Sequence, residues 1–293
     1  MSKTVLALGY FDSVHNGHRH LLKIAKDYAI EHNATLTVFT FGGNLKGVLN
    51  NNGDKCVYSA KEREVLLNSC GADVIYFAPV DKPFLSLTKG EFLDHLNSKF
   101  NVICYVCGED YSFGQFGAGK SEDIRTYAQN NGQELIVVPP VLDGEKKIST
   151  TLIKDFLSLG DVKKAGSLLG QSYSVTGVVH ADRQVGHKLG FPTANISIDS
   201  DKFALKNGVY KGRVTVDGKS YKTIINYGAR PTFNLDEKLI ETHVIDYDGD
   251  LYGKEITLFF DAYMREILKF SSPEQLKEQL QKDVESVKGG KYD

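Results

Sequence analysis

The 293-residue chain is 41 % apolar and 25 % charged, an ordinary globular balance that predicts one large domain or two average ones. A net charge of −2 gives no electrostatic basis for binding nucleic acid or an anionic membrane, and no run of about 18 apolar residues predicts a membrane span. Because residues 1–3 lead directly into an apolar run, we expect no signal peptide and a cytoplasmic location.

A strand, a turn and a helix are predicted at the start of the chain. The apolar run 4–11 predicts a buried strand, and the residues after His18 place apolar side chains on one helical face. His15 and His18 therefore lie where a strand turns into a helix. Free N–H groups at a helix start favour phosphate, both imidazoles can donate to it, and Gly17 permits close approach. The alternatives are a metal site or a capped helix with incidental histidines.

Strands and helices alternate through the rest of the first half. Helices begin at two capping boxes, Ser59 with Glu62 and Thr88 with Glu91. Further strands are predicted over residues 35–41, 73–78, 101–107 and 134–139. This alternation predicts a parallel sheet that is covered on both faces, with ligands beyond the carboxyl ends of its strands.

Two more segments of the first half are candidates for ligand contacts. The glycine-rich loop 108–119 follows the fourth strand and is either a loop whose backbone approaches a ligand closely or a plain flexible loop. The hydroxyl-rich segment 148–154 either caps a helix or presents its hydroxyls and Lys154 to a triphosphate.

The four cysteines do not predict a disulfide framework in a chain of this length. Cys104 and Cys107 have the C-x-x-C spacing, but they lie in an apolar run and no second pair supports a zinc site. We interpret them as small buried thiols in a strand.

Short β segments replace the alternating pattern after a helical stretch that ends near Gly170. A strand is predicted over 174–180, a hairpin over 208–225 with an Asp217-Gly218 turn, and a further strand pair over 242–247 and 256–260. A last helix begins at Ser272-Pro273. Strands at this spacing predict a small closed barrel, with a domain boundary near residues 160–172.

These segments together resemble the bacterial bifunctional riboflavin kinase/FAD synthetase (FMN adenylyltransferase) family over nearly the whole chain. In the first half the resemblance depends on segments 9–18, 108–114 and 148–154. In the second half it depends on segments 189–195, 207–210, 226–232, 241–243, 251–253 and 265–270. Any one segment is a weak signal, but their order and spacing make coincidence improbable.

The resemblance implies an α/β plus β fold in two domains. Residues 1–165 are expected to form a Rossmann-like nucleotidyltransferase domain with a parallel sheet, and residues 166–293 a small Greek-key β-barrel of riboflavin kinase type. The barrel is expected to phosphorylate riboflavin to FMN with ATP. The first domain is expected to adenylylate FMN to FAD with a second ATP, releasing pyrophosphate. The implied partners are riboflavin, FMN, ATP and Mg²⁺.

For the kinase, the resemblance implies that Glu241 is the general base, which accepts a proton from the ribityl chain of riboflavin. Thr193 and Asn195 are implied to bind the nucleotide and Mg²⁺, which prefers oxygen ligands, and Arg265 and Phe270 to hold the flavin. The structural alternatives are a solvated strand-end carboxylate for Glu241, a polar strand entry for 193–195, and a core position for Phe270.

For the adenylyltransferase, the resemblance implies that His15 and His18 hold the ATP phosphates and stabilise the charge that moves to pyrophosphate. Further nucleotide contacts are implied at Gly9, Phe11, Asp12, Gly17, Asp110, Ser149, Thr150 and Lys154.

Three departures from the family pattern leave alternatives open. Segment 41–44 (Phe-Gly-Gly-Asn) replaces the usual Pro-His-Pro loop. Lys154 replaces an arginine, and a lysine cannot bind phosphate in the bidentate geometry of an arginine. His187 replaces another arginine. A chain that retains only one activity, or a non-catalytic flavin or nucleotide sensor, is therefore also considered. The retained histidines and Glu241 argue against the sensor.

Overall fold

Strands and helices alternate through the first half of the chain, as predicted. In the computed structural model, which describes residues 2–50, 54–180, 190–229 and 238–289, the chain divides into two units, Met1–Thr150 and Thr151–Asp293. The predicted domain boundary at 165/166 stays a prediction. No helix within the described ranges is long and apolar enough to cross a membrane.

The first unit contains a five-stranded parallel sheet with two short antiparallel hairpins beside it. Its strands are β1 (Lys3–Leu8), β2 (Thr35–Phe41), β3 (Val74–Ala78), β4 (Asn101–Gly108), β5 (Ser112–Phe113), β6 (Gly119–Lys120), β7 (Glu134–Val138), β8 (Leu142–Asp143) and β9 (Lys146–Lys147). The order in the parallel sheet is β3-β2-β1-β4-β7, and the hairpins are β5-β6 and β8-β9. The predicted fold class of this half is confirmed.

The strand order determines where a ligand can bind. From β1 the chain adds β2 and β3 on one side, and it then returns to add β4 on the other side of β1. The topological switch point, where the order of strands reverses, therefore lies between the carboxyl ends of β1 and β4. The segments predicted to bind nucleotide, 9–18 and 108–119, directly follow these two strands. Cys104 and Cys107 are fully buried in β4 as free thiols, which confirms their interpretation.

Helices cover the parallel sheet, and both predicted capping boxes are present. The helices are α1 (Asn16–Glu31), α2 (Leu45–Asn50), α3 (Ala60–Ser69), α4 (Lys82–Leu85), α5 (Lys89–Lys99) and α6 (Ser121–Asn130). Ser59 caps α3 with Glu62, and Thr88 caps α5 with Glu91. The sequence patterns did not predict α2, α4 or α6.

The second unit is a closed six-stranded antiparallel barrel with helices at both ends of its sequence. Its elements are α7 (Thr150–Leu159), α8 (Val162–Leu169), β10 (Tyr173–His180), β11 (Ala194–Ser197), β12 (Gly208–Val216), β13 (Lys219–Ala229), β14 (Lys238–Val244), β15 (Glu255–Arg265) and α9 (Pro273–Gly289). The strand order β10-β11-β14-β13-β12-β15 contains the Greek-key arrangement, because β15 returns to lie beside β12. The predicted barrel is confirmed.

One predicted hairpin is present and another is wrong. Asp217 and Gly218 both have positive φ angles, 49° and 76°, and join β12 to β13 by a tight turn as predicted. The strand pair predicted around Asp248-Gly249 does not form. Instead, β14 pairs with β11 and β13, while β15 pairs with β10 and β12. Residues 245–254 carry the chain across to the other side because β15 is needed to close the barrel.

Candidate active sites

The two histidines of the first unit form one preformed pair after β1. His15 is the N-cap of α1, and its Nδ1 accepts a hydrogen bond of 3.2 Å from the backbone N–H of His18. Their rings are stacked, with centroids 3.7 Å apart and planes 8° apart. A Cβ at Gly17 would lie 3.0 Å from the His15 ring, so the glycine lets that ring approach the backbone without crowding.

The turn that carries the histidines has an unusual backbone. Phe11 and Val14 have φ angles of 50° and 43°, a region that bulky residues rarely adopt, and both side chains are completely buried. A Cβ at Gly9 would lie 2.8 Å from the Phe11 ring, and that ring meets the His18 ring edge-on at 5.1 Å. Such conformations persist where the surrounding packing determines them, so the buried core holds the turn in shape.

Asp12 has a structural contact in this turn. Its Oδ1 accepts a buried hydrogen bond of 2.8 Å from the backbone N–H of Val57. Beside it, the hydroxyl of Tyr10 lies 3.3 Å from Sγ of Cys56. These contacts attach segment 56–58 to the turn, which lies about 45 residues earlier in the chain.

Burial keeps both imidazoles neutral. It lowers the pKa of His15 to about 4, and burial followed by the proximity of His15 lowers the pKa of His18 well below its ordinary value. Since Nδ1 of His15 accepts a hydrogen bond, its proton is assigned to Nε2, which can donate. Nδ1 of His18 is buried and has no hydrogen-bond partner among the described residues. Each ring therefore offers one neutral N–H donor at pH 7.

An ion pair lies close to the histidines. Nζ of Lys147 in β9 is 2.5 Å from Oδ2 of Asp110, which follows β4, and this hydrogen bond lowers the pKa of the carboxyl group. After burial, the positive charge of Lys147 also contributes to the lowered pKa of both histidines. Three segments that are far apart in sequence thus meet at the switch point.

The hydroxyl-rich segment reaches the same turn. Oγ1 of Thr150 is 3.0 Å from Oγ of Ser13, and the preceding Ser149 is partly buried. Lys154, four residues later, belongs to the second unit, where its ammonium lies 5.5 Å from the centroid of the Phe203 ring.

A buried arginine connects the ends of β1 and β2. Arg63 in α3 is only 1 % exposed. Its guanidinium donates to the carbonyls of Tyr10 and Phe41, at 3.1 and 2.7 Å, and to Oγ1 of Thr40 at 3.1 Å. No carboxylate pairs with it within the described part of the chain, and its Nε is buried without a partner. This fixed positive charge therefore lies beneath the segment that replaces the Pro-His-Pro loop.

The second site follows one row of residues across five strands of the barrel. Successive cross-strand partners in this row, which we call the barrel row, are Asn195, Glu241, Asn226, Val209 and Arg265. Because the residues on either side of Glu241 in β14 are fully buried, the row lies on the outer face of the barrel.

Glu241 is coupled to the turn that precedes β11. The hydroxyl of Thr193 donates to its Oε1 at 2.8 Å. Nδ1 of His243 lies 2.8 Å from the carbonyl of Pro192, and the His243 ring meets the Phe191 ring edge-on at 5.5 Å. These contacts hold the turn 191–193 against β14, so Thr193 and Glu241 form a fixed pair.

A cavity of about 380 Å³ opens beside Thr193. The described residues that line it are Val179, Pro192, Thr193, Ala194, Thr242, Val244 and the segment 247–252. Its surface is partly polar and partly apolar, which suits a ligand with a planar ring and attached polar groups.

The predicted flavin residues lie near α9. Arg265 forms a bidentate pair with Asp283 of α9, at 3.1 and 2.6 Å, and donates to the carbonyl of Glu266 at 3.0 Å. Asp283 is only 4 % exposed. Arg265 therefore anchors the last helix to the barrel, and Phe270 lies partly buried in the segment between them.

Comparison with known proteins gives both units a family. Residues 1–152 match the family model described as FAD synthetase, and residues 169–289 match the model described as riboflavin kinase. The bifunctional riboflavin kinase/FMN adenylyltransferases of Bacillus subtilis and Listeria monocytogenes are 32 % and 33 % identical to the chain. The matches cover 98 % and 97 % of this chain and 92 % and 91 % of those proteins. The chain belongs to the bifunctional riboflavin kinase/FMN adenylyltransferase family.

A solved structure shares the fold. The crystal structure titled as a macrolide-efflux protein from Streptococcus pneumoniae is 32 % identical, covers 99 % of this chain and 95 % of its own, and has a TM-score of 0.89. Together with the two domain matches, this confirms the predicted family, fold class and enzyme class: a transferase of FMN and FAD biosynthesis.

The individual residue roles stay predictions within this family. The structure brings His15, His18, Asp110 and Thr150 together in the first unit, and places Asn195, Glu241 and Arg265 on the barrel row. Three parts of the predicted pattern lie outside the described residues: His187, Leu189 of segment 189–195, and residues 230–232 of segment 226–232.

Four further residues gain a position in a site only from the structure, although Ser13 and Asn226 lie within segments 9–18 and 226–232, which carry the family resemblance. Ser13 and Lys147 join the histidine site, Arg63 supports it from below, and Asn226 stands beside Glu241. Lys147 directly precedes the hydroxyl-rich segment 148–154, and this position in the sequence could have predicted that it lies near the same ligand. Arg63 gave no signal, because a charge in a helical pattern is typically solvated.

Proposed function

We propose that this chain catalyses both reactions of its family, phosphorylation of riboflavin in the barrel and adenylylation of FMN in the first unit. The observation that carries the proposal is that both reacting sets are preformed. The histidine pair is locked at the switch point of the sheet, and Glu241 is hydrogen-bonded to Thr193. A sensor would need neither a positioned base nor two aligned donors.

In the kinase reaction, ATP occupies the cavity beside Thr193 and riboflavin lies along the barrel row. The terminal ribityl hydroxyl attacks the γ-phosphorus of ATP, an O–P bond forms, and the bond from that phosphorus to the β–γ bridging oxygen breaks. Glu241 accepts the hydroxyl proton, and ADP leaves. Asn195, the cross-strand partner of Glu241, faces the same side of the sheet.

The residues around Glu241 also fit Mg²⁺. The Thr193 hydroxyl uses its proton on Glu241, so its lone pairs remain available to a cation, and the Asn195 amide offers a second neutral oxygen. Thr193 and Asn195 are the proposed protein ligands, with ATP phosphates completing the set. When bound, Mg²⁺ neutralises charge on the transferred phosphoryl group.

In the adenylyltransferase reaction, His15 and His18 donate their N–H groups to the ATP phosphates. A phosphate oxygen of FMN attacks the α-phosphorus, an O–P bond forms, and pyrophosphate leaves with the electrons of the broken bond. The imidazole donors and the Lys147 ammonium stabilise the charge that accumulates on pyrophosphate. Asp110, Ser149 and Thr150 are the proposed contacts to the rest of the nucleotide.

Product analysis of the full chain tests this function. The protein is mixed with riboflavin, ATP and Mg²⁺, and flavins are separated by chromatography over time; FMN should appear first and FAD should follow. A second reaction that starts from FMN measures the adenylyltransferase alone. Formation of a single product would reduce the proposal to one activity, and unchanged riboflavin on a protein that binds it would favour the sensor.

We also propose a cytoplasmic location. The four cysteines are free thiols, which fits a reducing compartment.

A further inference from the structure

We infer that Asn226 binds a secondary hydroxyl of the ribityl chain and thereby contributes to the choice of riboflavin as substrate. This inference depends on the proposed kinase function of the barrel. It arises from the position of Asn226 in the barrel row and from the state of its side-chain amide.

Asn226 is the neighbour of the proposed base on the side away from Asn195. Glu241 in β14 pairs in register with Asn195 on one side and with Asn226 on the other. Directly opposite residues of antiparallel strands point to the same face, with Cβ atoms about 4.5–5.5 Å apart. Because Ile225 and Tyr227 are buried in the barrel interior, the Asn226 side chain points outward beside the Glu241 carboxylate.

The amide of Asn226 is available to a ligand. Its Oδ1 is buried and accepts no hydrogen bond within the described part of the chain. A buried amide oxygen without a partner carries a desolvation cost, which a ligand hydroxyl would remove. A hydroxyl group both donates and accepts, so it complements an amide in either orientation.

The rest of the row specifies which part of riboflavin meets Asn226. Beyond it lies Val209, which belongs to the same buried apolar cluster as Val287 of α9, and then Arg265, which is paired with Asp283. Asn226 is thus the last polar position of the row before the helix covers it. A substrate with its terminal hydroxyl at Glu241 and its ring system toward α9 places the chain between them, where the secondary hydroxyls are, beside Asn226.

The test compares riboflavin with a flavin whose side chain is an ω-hydroxypentyl group, which keeps the terminal hydroxyl but lacks the secondary ones. Phosphorylation of both substrates is measured for the wild type, Asn226→Ala, Asn226→Ser and Thr215→Ala. Thr215 is the matched control, because it is an exposed polar residue on the neighbouring strand β12. Equilibrium binding of both flavins is measured in parallel by fluorescence.

We expect Asn226→Ala to lower the preference for riboflavin over the analogue about tenfold, mainly through a higher KM for riboflavin. The analogue should be phosphorylated almost as before, Asn226→Ser should restore part of the preference, and Thr215→Ala should retain it. A merely structural role would impair both substrates equally and leave the preference unchanged.

An unchanged preference in a folded Asn226→Ala protein would overturn the inference while leaving the kinase function intact. If the wild type forms no FMN, the kinase proposal fails, and the ratio of the two binding constants still decides the role of Asn226. If Asn226→Ala does not fold, the same ratios in Asn226→Ser decide it.

Discussion

The two sites of this enzyme differ in how the backbone assembles them. The histidine site gathers turns that follow separate parallel strands, so residues 9–18, 108–110 and 146–150 meet at one edge of a sheet. The barrel site is a single row of cross-strand neighbours on the face of an antiparallel sheet. In the first, the proposed donors lie on loops that the strands position; in the second, the proposed reacting groups lie on the strands themselves.

The sites also differ in charge, and the chemistry explains why. The phosphate of FMN is already an anion, so its attack on ATP needs no general base; neutral imidazoles and the fixed charges of Lys147 and Arg63 suit it. The hydroxyl of riboflavin must lose a proton, and Glu241 is the carboxylate that we propose accepts it. With these proposed roles, each site contains groups of the kind that its own nucleophile requires.

Removing the base should have the largest effect. Glu241→Gln keeps the size of the side chain and can still accept from Thr193, but it cannot accept a proton at neutral pH. Kinase turnover should fall about 10²–10⁴-fold while riboflavin affinity changes little. Chromatography of the flavin products measures the loss, and FAD formation from supplied FMN serves as the internal control. Full kinase turnover in this variant would remove Glu241 from the mechanism.

Removing the imidazole donor of His15 should affect only the adenylyltransferase reaction, which forms FAD. His15→Ala removes both the donor and the cap of α1, whereas His15→Asn replaces the imidazole but retains a good N-cap residue. We expect FAD formation to fall about 10²-fold in both, with a lower free energy of unfolding only in the alanine variant. Initial rates of both reactions and urea unfolding measure this. Equal loss of FMN and FAD formation would contradict the separation of the two sites.

Replacing the buried Arg63 should lower both the stability of the first unit and the rate of FAD formation, and should leave FMN formation unchanged. Arg63→Met leaves two carbonyls and a hydroxyl without their donor, so we expect a loss of about 2–4 kcal/mol in the free energy of unfolding of the first unit, together with weaker FAD formation. Arg63→Lys should recover only part, because one ammonium cannot reproduce the fork of the guanidinium.

The matched control for Arg63 is Arg125→Met, which replaces an exposed arginine of α6 that forms an ion pair of 3.1 Å with the exposed Glu122. It should change stability by less than about 1 kcal/mol. Wild-type stability in Arg63→Met, measured by urea unfolding, would show that this buried charge is not needed.

The smallest expected effect is on pH dependence. His15 has a pKa of about 4 in the folded chain, whereas an unfolded histidine titrates near ~6.5, so the unfolded state binds more protons between these values. The first unit should therefore lose stability as the pH falls from 6.5 towards 4. His15→Asn should reduce this loss by an amount on the order of 1 kcal/mol. Urea midpoints at pH 7 and pH 5 measure it.

The control for the pH effect is His20→Asn, an exposed position on the same helix. It should leave the slope of stability against pH as it is in the wild type. A His15→Asn protein with the wild-type slope would show that His15 has the same pKa in the folded and unfolded states, so that burial does not lower it.

The sequence by itself determined the family and many of the local elements, although it did not predict α2, α4 or α6. The predicted features depend on residues that are neighbours along the chain, so they can be recognised without knowledge of the fold. They are the alternating apolar runs, the two capping boxes and the Asp217-Gly218 turn. The motifs around His15 and Glu241 identified the two chemistries for the same reason. Only the tertiary structure decided which distant residues meet.

Closure of the barrel placed β14 between β11 and β13 and thereby set Asn226 beside Glu241. Packing of α3 buried Arg63 under the ends of β1 and β2, although its sequence position looks like a solvated helix face. The physical reason is that strand register and helix docking minimise the free energy of the whole core, and no local pattern of residues encodes that minimum.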